Sequence, residues 1–246
     1  MTERAASWSL AHRHGPADEL HALDLPDPVR REVWVLVPDR PALVLGSTQN
    51  DAVVDAEMLA DRGIDLVRRR SGGGAVLLDA AGALGAGPTL WIDLVVPRED
   101  PLWVDDVGRS TDWLGDAWVR ALASLGLSAS VHRGRLERTS ASTLVCFAGL
   151  GPGEVLVEGR KVVGISQRRT RRGARFQCVV PLAPPGPAEV SGEEPGVATI
   201  VDVLAEPAGG VVRAELAAQL RRTTGAVRVD AEALLAALLA ALPDAR

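Results

Sequence analysis

The sequence predicts an α+β domain in which a mixed or largely antiparallel β-sheet carries packed helices. Three observations predict it. Short apolar runs bounded by glycine, proline and aspartate recur between residues 32 and 182, as strands do. Segments with helical spacing interrupt them, and alanine- and leucine-rich helical segments close the chain. No internal repeat divides the sequence and nothing marks a second core, so residues 1–246 read as one domain.

Residues 1–30 are polar and punctuated by proline, and read as an N-terminal arm that Trp8-Ser9-Leu10 packs on the domain. Glu32 to Val37 reads as a strand, Asp39-Arg40-Pro41 as a turn, and Ala42 to Gly46 as a short strand ending in glycine. Asp51 to Arg62 has helical spacing, with Val54, Met58 and Leu59 on one face. Ile64 to Arg69 and Gly74 to Asp79 read as strands, which places the glycine triplet between them in a hairpin turn. Thr89 to Pro97 is a further strand, and Asp105 to Leu125 a helix with its aspartates near the start, where the dipole favours negative charge. Ser128 to His132 and Leu144 to Phe147 read as strands, Glu154 to Ser166 as a hairpin turning at Gly159, and Phe176 to Leu182 as another strand. Residues 183–196 form a proline-, glycine- and acid-rich flexible loop, and residues 197–246 a helical end containing helices at Val211–Leu220 and Asp230–Leu242.

The 47% hydrophobic and 24% charged fractions are those of an ordinary globular protein. A net charge of -5 argues against a general nucleic-acid binder. No apolar run is long enough to span a bilayer, and Met1-Thr2-Glu3-Arg4 does not open a signal peptide. Cys146 and Cys178 lie far apart without metal-type spacing, so free thiols in a reducing cytoplasm are expected. Of 27 basic residues only Lys161 is lysine, and tyrosine is absent. GC-rich coding converts lysine to arginine wherever either serves. Lys161 is therefore either a leftover or a position where only a compact ammonium fits.

Two stretches could carry chemistry. In Arg68-Arg69-Arg70-Ser71-Gly72-Gly73-Gly74 the glycines allow close backbone approach to a ligand, and the arginines suit an anion. The alternative is a flexible turn. A strand follows it, and no Gly-Lys-Ser/Thr, so it is neither a P-loop nor a dinucleotide fingerprint. In Gly159 to Arg169, strand alternation puts Lys161 with Val163 on one face and Arg160 with Val162 on the other.

Together these stretches resemble the lipoate–protein ligase A family, within the biotin/lipoate protein ligase superfamily. Arg69 to Val76 with Asp79 resembles its signature, Val157 to Arg169 its lysine motif, and Leu45-Gly46-Ser47-Thr48-Gln49-Asn50 its early strand and loop. The order and spacing fit from about residue 30 to 182, and Val197 to Leu204 with the two final helices is similar to the close of that catalytic domain. The resemblance implies attachment of a lipoyl or octanoyl group to a lysine of a lipoyl carrier domain in a metabolic complex. It implies that Lys161 orients the acyl carbonyl, and that Arg70, Ser71, Gly72, Gly73, Gly74, Ala75, Asp79, Gly164 and Ser166 bind substrate. Lipoate or octanoate is the implied substrate and no tightly bound cofactor is expected. ATP and Mg2+ enter only in the ligase branch, which forms an acyl-adenylate.

Cys146, in Leu144-Val145-Cys146-Phe147-Ala148-Gly149, resembles the nucleophile of the cysteine-dependent octanoyltransferases and amidotransferases. A nearby Lys161 would favour its thiolate. That branch implies acyl carrier protein as a donor, and the wording Gly164 to Arg169 looks closest to the amidotransferases. Leu78 stands where the ligases have a histidine, Ala80 to Gly85 replaces an asparagine-containing segment, and Phe176-Gln177-Cys178 stands near another missing histidine. These departures count against ATP-dependent activation and keep open a non-catalytic relative that binds an acyl-adenylate or acyl carrier. A biotin ligase is disfavoured because its Gly-Arg-Gly-Arg loop is missing. Cys178 is expected in the core, and His12, His14, His21 and His132 on the surface. Trp91 and Trp103 are expected to pack in the core. Arg168 to Arg175 is expected to be a solvated loop that could dock an acidic carrier.

Overall fold

Continuous apolar runs along residues 32–38 and 89–97, buried on both faces, set the layers of the fold. A computed structural model describes residues 8–85, 87–183, 197–205 and 213–244. In chain order its elements are β1 (Ser9–Gly15), α1 (Ala17–Ala22), β2 (Glu32–Pro38), β3 (Ala42–Leu45), α2 (Ala56–Asp61), β4 (Asp65–Arg68), β5 (Val76–Leu78), β6 (Thr89–Pro97), α3 (Asp112–Ser124), β7 (Ala129–Val131), β8 (Val155–Val157), β9 (Arg160–Arg169), β10 (Gly173–Pro181), α4 (Val197–Asp202), α5 (Arg213–Thr223) and α6 (Ala231–Ala241). The larger sheet has the order β1-β2-β6-β10-β9-β8-β7, and the smaller one β4-β3-β5. β1 runs parallel to β2, β4 parallel to β3, and the other pairs are antiparallel, so the sheets are mixed within an α+β fold.

Period-two alternation sends each strand's side chains to two faces. Val33 and Val35 join a core with Leu114 and Trp118 of α3 and Leu234 and Leu238 of α6. Trp34 and Leu36 point the other way and meet Val44, Val76 and Leu78 of the smaller sheet. Leu43 and Leu45 cover that sheet's far face against Leu59, Ile200, Leu216 and Leu220. The layers are therefore helices, large sheet, small sheet, helices. The space between the sheets is where the site lies.

Several elements depart from the sequence reading, each for a local reason. The N-terminal stretch contributes β1 and α1 to the fold, beyond packing on it. The Arg175 guanidinium ties α1 down by donating to the carbonyls of Leu20, His21 and Leu23 at its end. Arg175 is itself ion-paired with the fully buried Asp93.

The 51–62 helix is split. Val54 bridges to Leu204, Asp55 N–H donates to Val203 O, and the Asp55 side chain then caps α2 at Met58 N–H. α3 begins at Asp112, not Asp105. Upstream, Asp106 accepts from Gly108 N–H and Ser110 Oγ donates to Val107 O, and these local bonds compete with helix formation.

Leu144 to Phe147 is not a strand. Residues 140–143 and 146–148 form single 3₁₀ turns, the first closed by reciprocal bonds between Thr139 and Ser142. A short buried apolar run carries no period that separates the two states. The glycine triplet is not a hairpin turn either, since β4 and β5 flank β3 on opposite edges and the triplet crosses over the end of β3. Gly46 permits that crossing: a Cβ there would lie 1.9 Å from Gly73 O.

The hairpin at Gly159 is present, with Glu158 (φ 51°) and Gly159 (φ 77°) both left-handed. An extra residue in β9 shifts its register against β8, which breaks the expected alternation and buries Lys161, Val162 and Val163 alike. Of the expected 183–196 loop only Ala183 falls among the described residues, and Val211 and Val212 of the expected 211–220 helix also fall outside them. Among the described residues no helix is long and apolar enough to cross a membrane.

Candidate active site

Cys146 opens the second 3₁₀ turn, half-buried, and its backbone is held from three sides. Its N–H donates to Ala75 O at 2.9 Å, and Ala75 N–H donates to Leu144 O at 2.7 Å. Gln49 Nε2 donates to Thr143 O and Leu144 O at 2.9 and 3.0 Å, tying the early 45–50 loop to the same segment. Lys161 Nζ donates to Cys146 O at 3.2 Å and Gly149 O at 3.3 Å.

The glycine loop thus meets the cysteine directly. A Cβ on Gly74 would lie 2.6 Å from Val145 C and 2.7 Å from Cys146 N. Arg69, 7% exposed, donates from Nη2 to Gly72 O (3.0 Å) and Gly74 O (2.9 Å), fixing the loop from below. Gly74→Ala is expected to destabilise the fold by about 1–3 kcal/mol through overpacking and to shift Cys146. Denaturant unfolding and thiol-modification rates check it.

Lys161 is 2% exposed. Its ammonium lies 2.7 Å from Glu154 Oε1, 3.9 Å from Cys146 Sγ and 4.7 Å from the Phe147 ring centroid. Glu154, 4% exposed, also accepts from Gly151 N–H (2.6 Å) and Ile165 N–H (3.1 Å). An ammonium has three N–H donors. Glu154 and the two carbonyls engage them, so the cation acts on the cysteine turn from behind. Gly164 leaves room for this packing, because a Cβ there would lie 3.0 Å from Phe147 and 3.4 Å from Lys161 Cε.

Cys146 opens onto a cavity between the sheets, whose walls include His21, Arg69, Trp91, Gly164, Ser166 and Gln177. Leu78 also lines it, 1% exposed. Beyond Phe147 a second, mostly apolar cavity is lined by Ala75, Asp79, Thr89, Val145, Ile200 and Leu220, among others. Asp79 accepts from Ala83 N–H (2.9 Å) and Leu84 N–H (2.8 Å), so its carboxylate caps the following turn.

The outer part of the glycine loop stands apart from this. Gly72 and Gly73 are exposed, and Arg70 is an exposed ion-pair partner of Asp24 at 3.7 Å. Ser71 Oγ is buried without a partner. Among the described residues no cluster of three histidine, cysteine or acidic side chains could hold a metal ion.

Three expectations are corrected. His21 is not a surface residue: its ring lies 4.3 Å from that of Trp91 and lines the Cys146 cavity. Arg168 to Arg175 is not a solvated loop but spans the β9–β10 hairpin, with Arg175 2% exposed. Trp103 does pack against the core that α3 and α6 share, and is corrected only in extent: it is half-buried there, flanked by the guanidinium groups of Arg98 and Arg169 at 4.7 and 4.0 Å.

Other expectations hold. Trp91 is buried, and His12 and His14 are exposed. Cys178 is fully buried beneath Trp118 Nε1, and burial pushes its thiol pKa up.

The sequence reading missed Glu154 and His21, and gave Arg69 only as one of the loop's anion-suited arginines. For His21 and Arg69 a signal existed. Ala17, Leu20 and His21 share one helical face, and alternation turns Arg69 away from Arg68 and Arg70.

Comparison with known proteins agrees with this geometry. The family model for the lipoyl protein ligase A/B catalytic domain matches residues 19–185. Octanoyltransferase LipM of Kyrpidia tusciae is 33% identical over 167 residues, covering 66% of this chain and 54% of that protein. LipM of Moorella thermoacetica is 32% identical, covering 67% and 53%. The chain therefore spans about half the length of these curated relatives.

Among solved structures, a bipartite lipoate protein ligase of Thermoplasma acidophilum superposes with a TM-score of 0.67 at 18% identity, covering 96% of this chain and 82% of that one. A lipoate-protein ligase A bound with ATP gives 0.64 at 18% identity, covering 96% and 83%. At these identities the structures establish a shared fold. On the strength of the family match across residues 19–185, the chain belongs to the lipoyl protein ligase A/B catalytic-domain family.

Proposed function

We propose that this protein transfers an octanoyl or lipoyl group to a lysine of a lipoyl carrier domain through a thioester on Cys146. The observation that carries this reading is the placement of Cys146 Sγ at a cavity wall, 3.9 Å from the Lys161 ammonium. The similarity to octanoyltransferases supports it.

In the first half-reaction the Cys146 thiolate attacks the carbonyl carbon of an acyl thioester on acyl carrier protein. The new S–C bond forms, the bond to the donor's sulfur breaks, and the donor thiol leaves carrying the proton that the Cys146 thiol gave up on forming the thiolate. In the second, the carrier lysine's amine attacks the Cys146 thioester. The amide forms, the C–S bond breaks, and the amine proton returns to the cysteine sulfur. The fixed cation of Lys161 lies beside the sulfur as its negative charge forms before attack and again as the C–S bond breaks. The mostly apolar cavity beyond Phe147 suits an aliphatic chain.

This reaction needs neither ATP and Mg2+ nor a tightly bound cofactor. Its free thiol suits a reducing cytoplasm. A solved neighbour is described together with its E2 lipoyl domain, which supports a domain of that kind as acceptor here.

Incubation with octanoyl acyl carrier protein, followed by intact mass, is expected to add one octanoyl group that Cys146→Ala abolishes. No adduct, together with ATP-dependent acylation of a carrier domain, would establish the ligase reading in its place. Acyl-adenylate binding without either activity would establish a non-catalytic relative.

A further inference from the structure

The Cys146 cavity has a polar wall that the transfer chemistry above does not use. His21 Nε2 is buried there without a hydrogen-bond partner, as is Arg69 Nε. The protonation of His21 follows from its neighbours. Asp93 receives Arg175 Nε, Trp91 Nε1 at 2.8 Å and the Gln177 side chain. A carboxylate only accepts, so Gln177 turns its NH2 group toward Asp93 and its carbonyl toward Ser166 Oγ at 3.5 Å. The same NH2 lies 3.4 Å from His21 Nδ1, which therefore accepts. A neutral imidazole carries one N–H, and here it sits on Nε2, buried without a partner in a ring that lines the cavity.

The surroundings keep the ring neutral. Burial first, then the charges of Arg175 and Arg69, hold its pKa down at about 3. The groups around it are Arg175 and Gln177 on β10, Trp91 on β6, Arg69 beyond β4, and Cys146, with the Asp93 carboxylate held by Arg175, Trp91 and Gln177. The Arg175 clamp on the carbonyls of α1 fixes where the ring stands.

We propose that His21 Nε2–H is the hydrogen-bond donor for the carbonyl oxygen of an acyl thioester seated in this cavity. The assignment rests on the Cys146 reading. A neutral donor stabilises the oxyanion formed on attack without delivering its proton, so the imidazole is unchanged through the cycle. Loss of one such donor lowers the chemical rate by about 10²–10³-fold.

His21→Phe keeps an aromatic ring against Trp91 and removes the donor, while His21→Gln keeps an N–H near the same place. Single-turnover acylation of Cys146 by octanoyl acyl carrier protein, read by intact mass, is expected to slow about 10²-fold in His21→Phe and to recover in part in His21→Gln. Thermal unfolding of the two variants should match. A wild-type rate in His21→Phe would overturn the assignment. So would a step near pH 6.5 in the wild-type rate that the variant loses, because that marks a titrating base.

Long-range ¹H–¹⁵N correlation on histidine-labelled protein tests the tautomer without substrate. It should show an Nε2–H form of His21 unchanged from pH 8 to 5, and an Nδ1–H form or a titration in that window contradicts it. If the wild type takes up no acyl group, the Cys146 reading and the carbonyl assignment fail together. The tautomer measurement then still decides whether the cavity carries this donor.

Discussion

Lys161→Arg is expected to lower transfer by about 10²–10³-fold although it preserves the charge. The Lys161 side chain is 3% exposed, 2.7 Å from Glu154 and packed against Phe147 and Gly164. A compact ammonium reaches Glu154, two carbonyls and the sulfur from one point, whereas a planar guanidinium presents its donors as a rigid fork. Seating that fork would displace the Cys146–Gly149 turn. Single-turnover transfer beside thermal unfolding checks this, and a near-wild-type rate contradicts the role given to Lys161. In a chain whose other basic residues are all arginine, the rate also separates a required lysine from a leftover one.

Glu154→Gln is expected to destabilise the fold by about 3–5 kcal/mol, because it leaves a buried ammonium without its counter-charge. The side-chain shape is kept, but Gly151 N–H and Ile165 N–H bind different carboxylate oxygens and an amide has one, so the loss combines the missing charge with one orphaned N–H. Replacing both partners by apolar residues, as in Lys161→Met with Glu154→Leu, removes the unpaired charge but orphans two N–H groups and two carbonyls, so it is expected to regain only part of the stability and none of the transfer. Denaturant unfolding of the single and double variants measures the first effect, and transfer assays the second. Full activity in the double variant would show that the pair is structural only.

Much of the fold was legible in the sequence, because short apolar runs bounded by turn residues mark strands buried on both faces. Thr89–Pro97 matches its reading residue for residue, and the turn at Gly159 is where glycine and a charged pair place it. What escaped is set by tertiary contacts. The Leu144–Phe147 run is apolar enough for a strand, but its carbonyls go to Gln49 and Lys161 from distant parts of the chain. The glycine triplet looked like a hairpin because its two flanking strands are adjacent in sequence. In the fold β3 lies between them.

The site was legible in part for the same reason. Cys146 and Lys161 stand in recognisable local words, and the fold brings them within 3.9 Å. Glu154 stands seven residues before Lys161, and only the hairpin register and bulge bring its carboxylate to the ammonium. His21 comes from a six-residue helix in a polar stretch, and reaches the cavity because Arg175 anchors the end of that helix. The spacing of Ala17, Leu20 and His21 puts the ring on the buried face, but a six-residue helix shows that period only once.

The central claim is that Cys146 carries the acyl group between donor and acceptor. The direct measurement is a chase: isolate the protein bearing labelled octanoate, add a lipoyl carrier domain without ATP, and follow the label. The expected result is transfer of the label from Cys146 to the carrier lysine at a rate no slower than steady-state turnover. Label that stays on the protein while product forms only with ATP would contradict it.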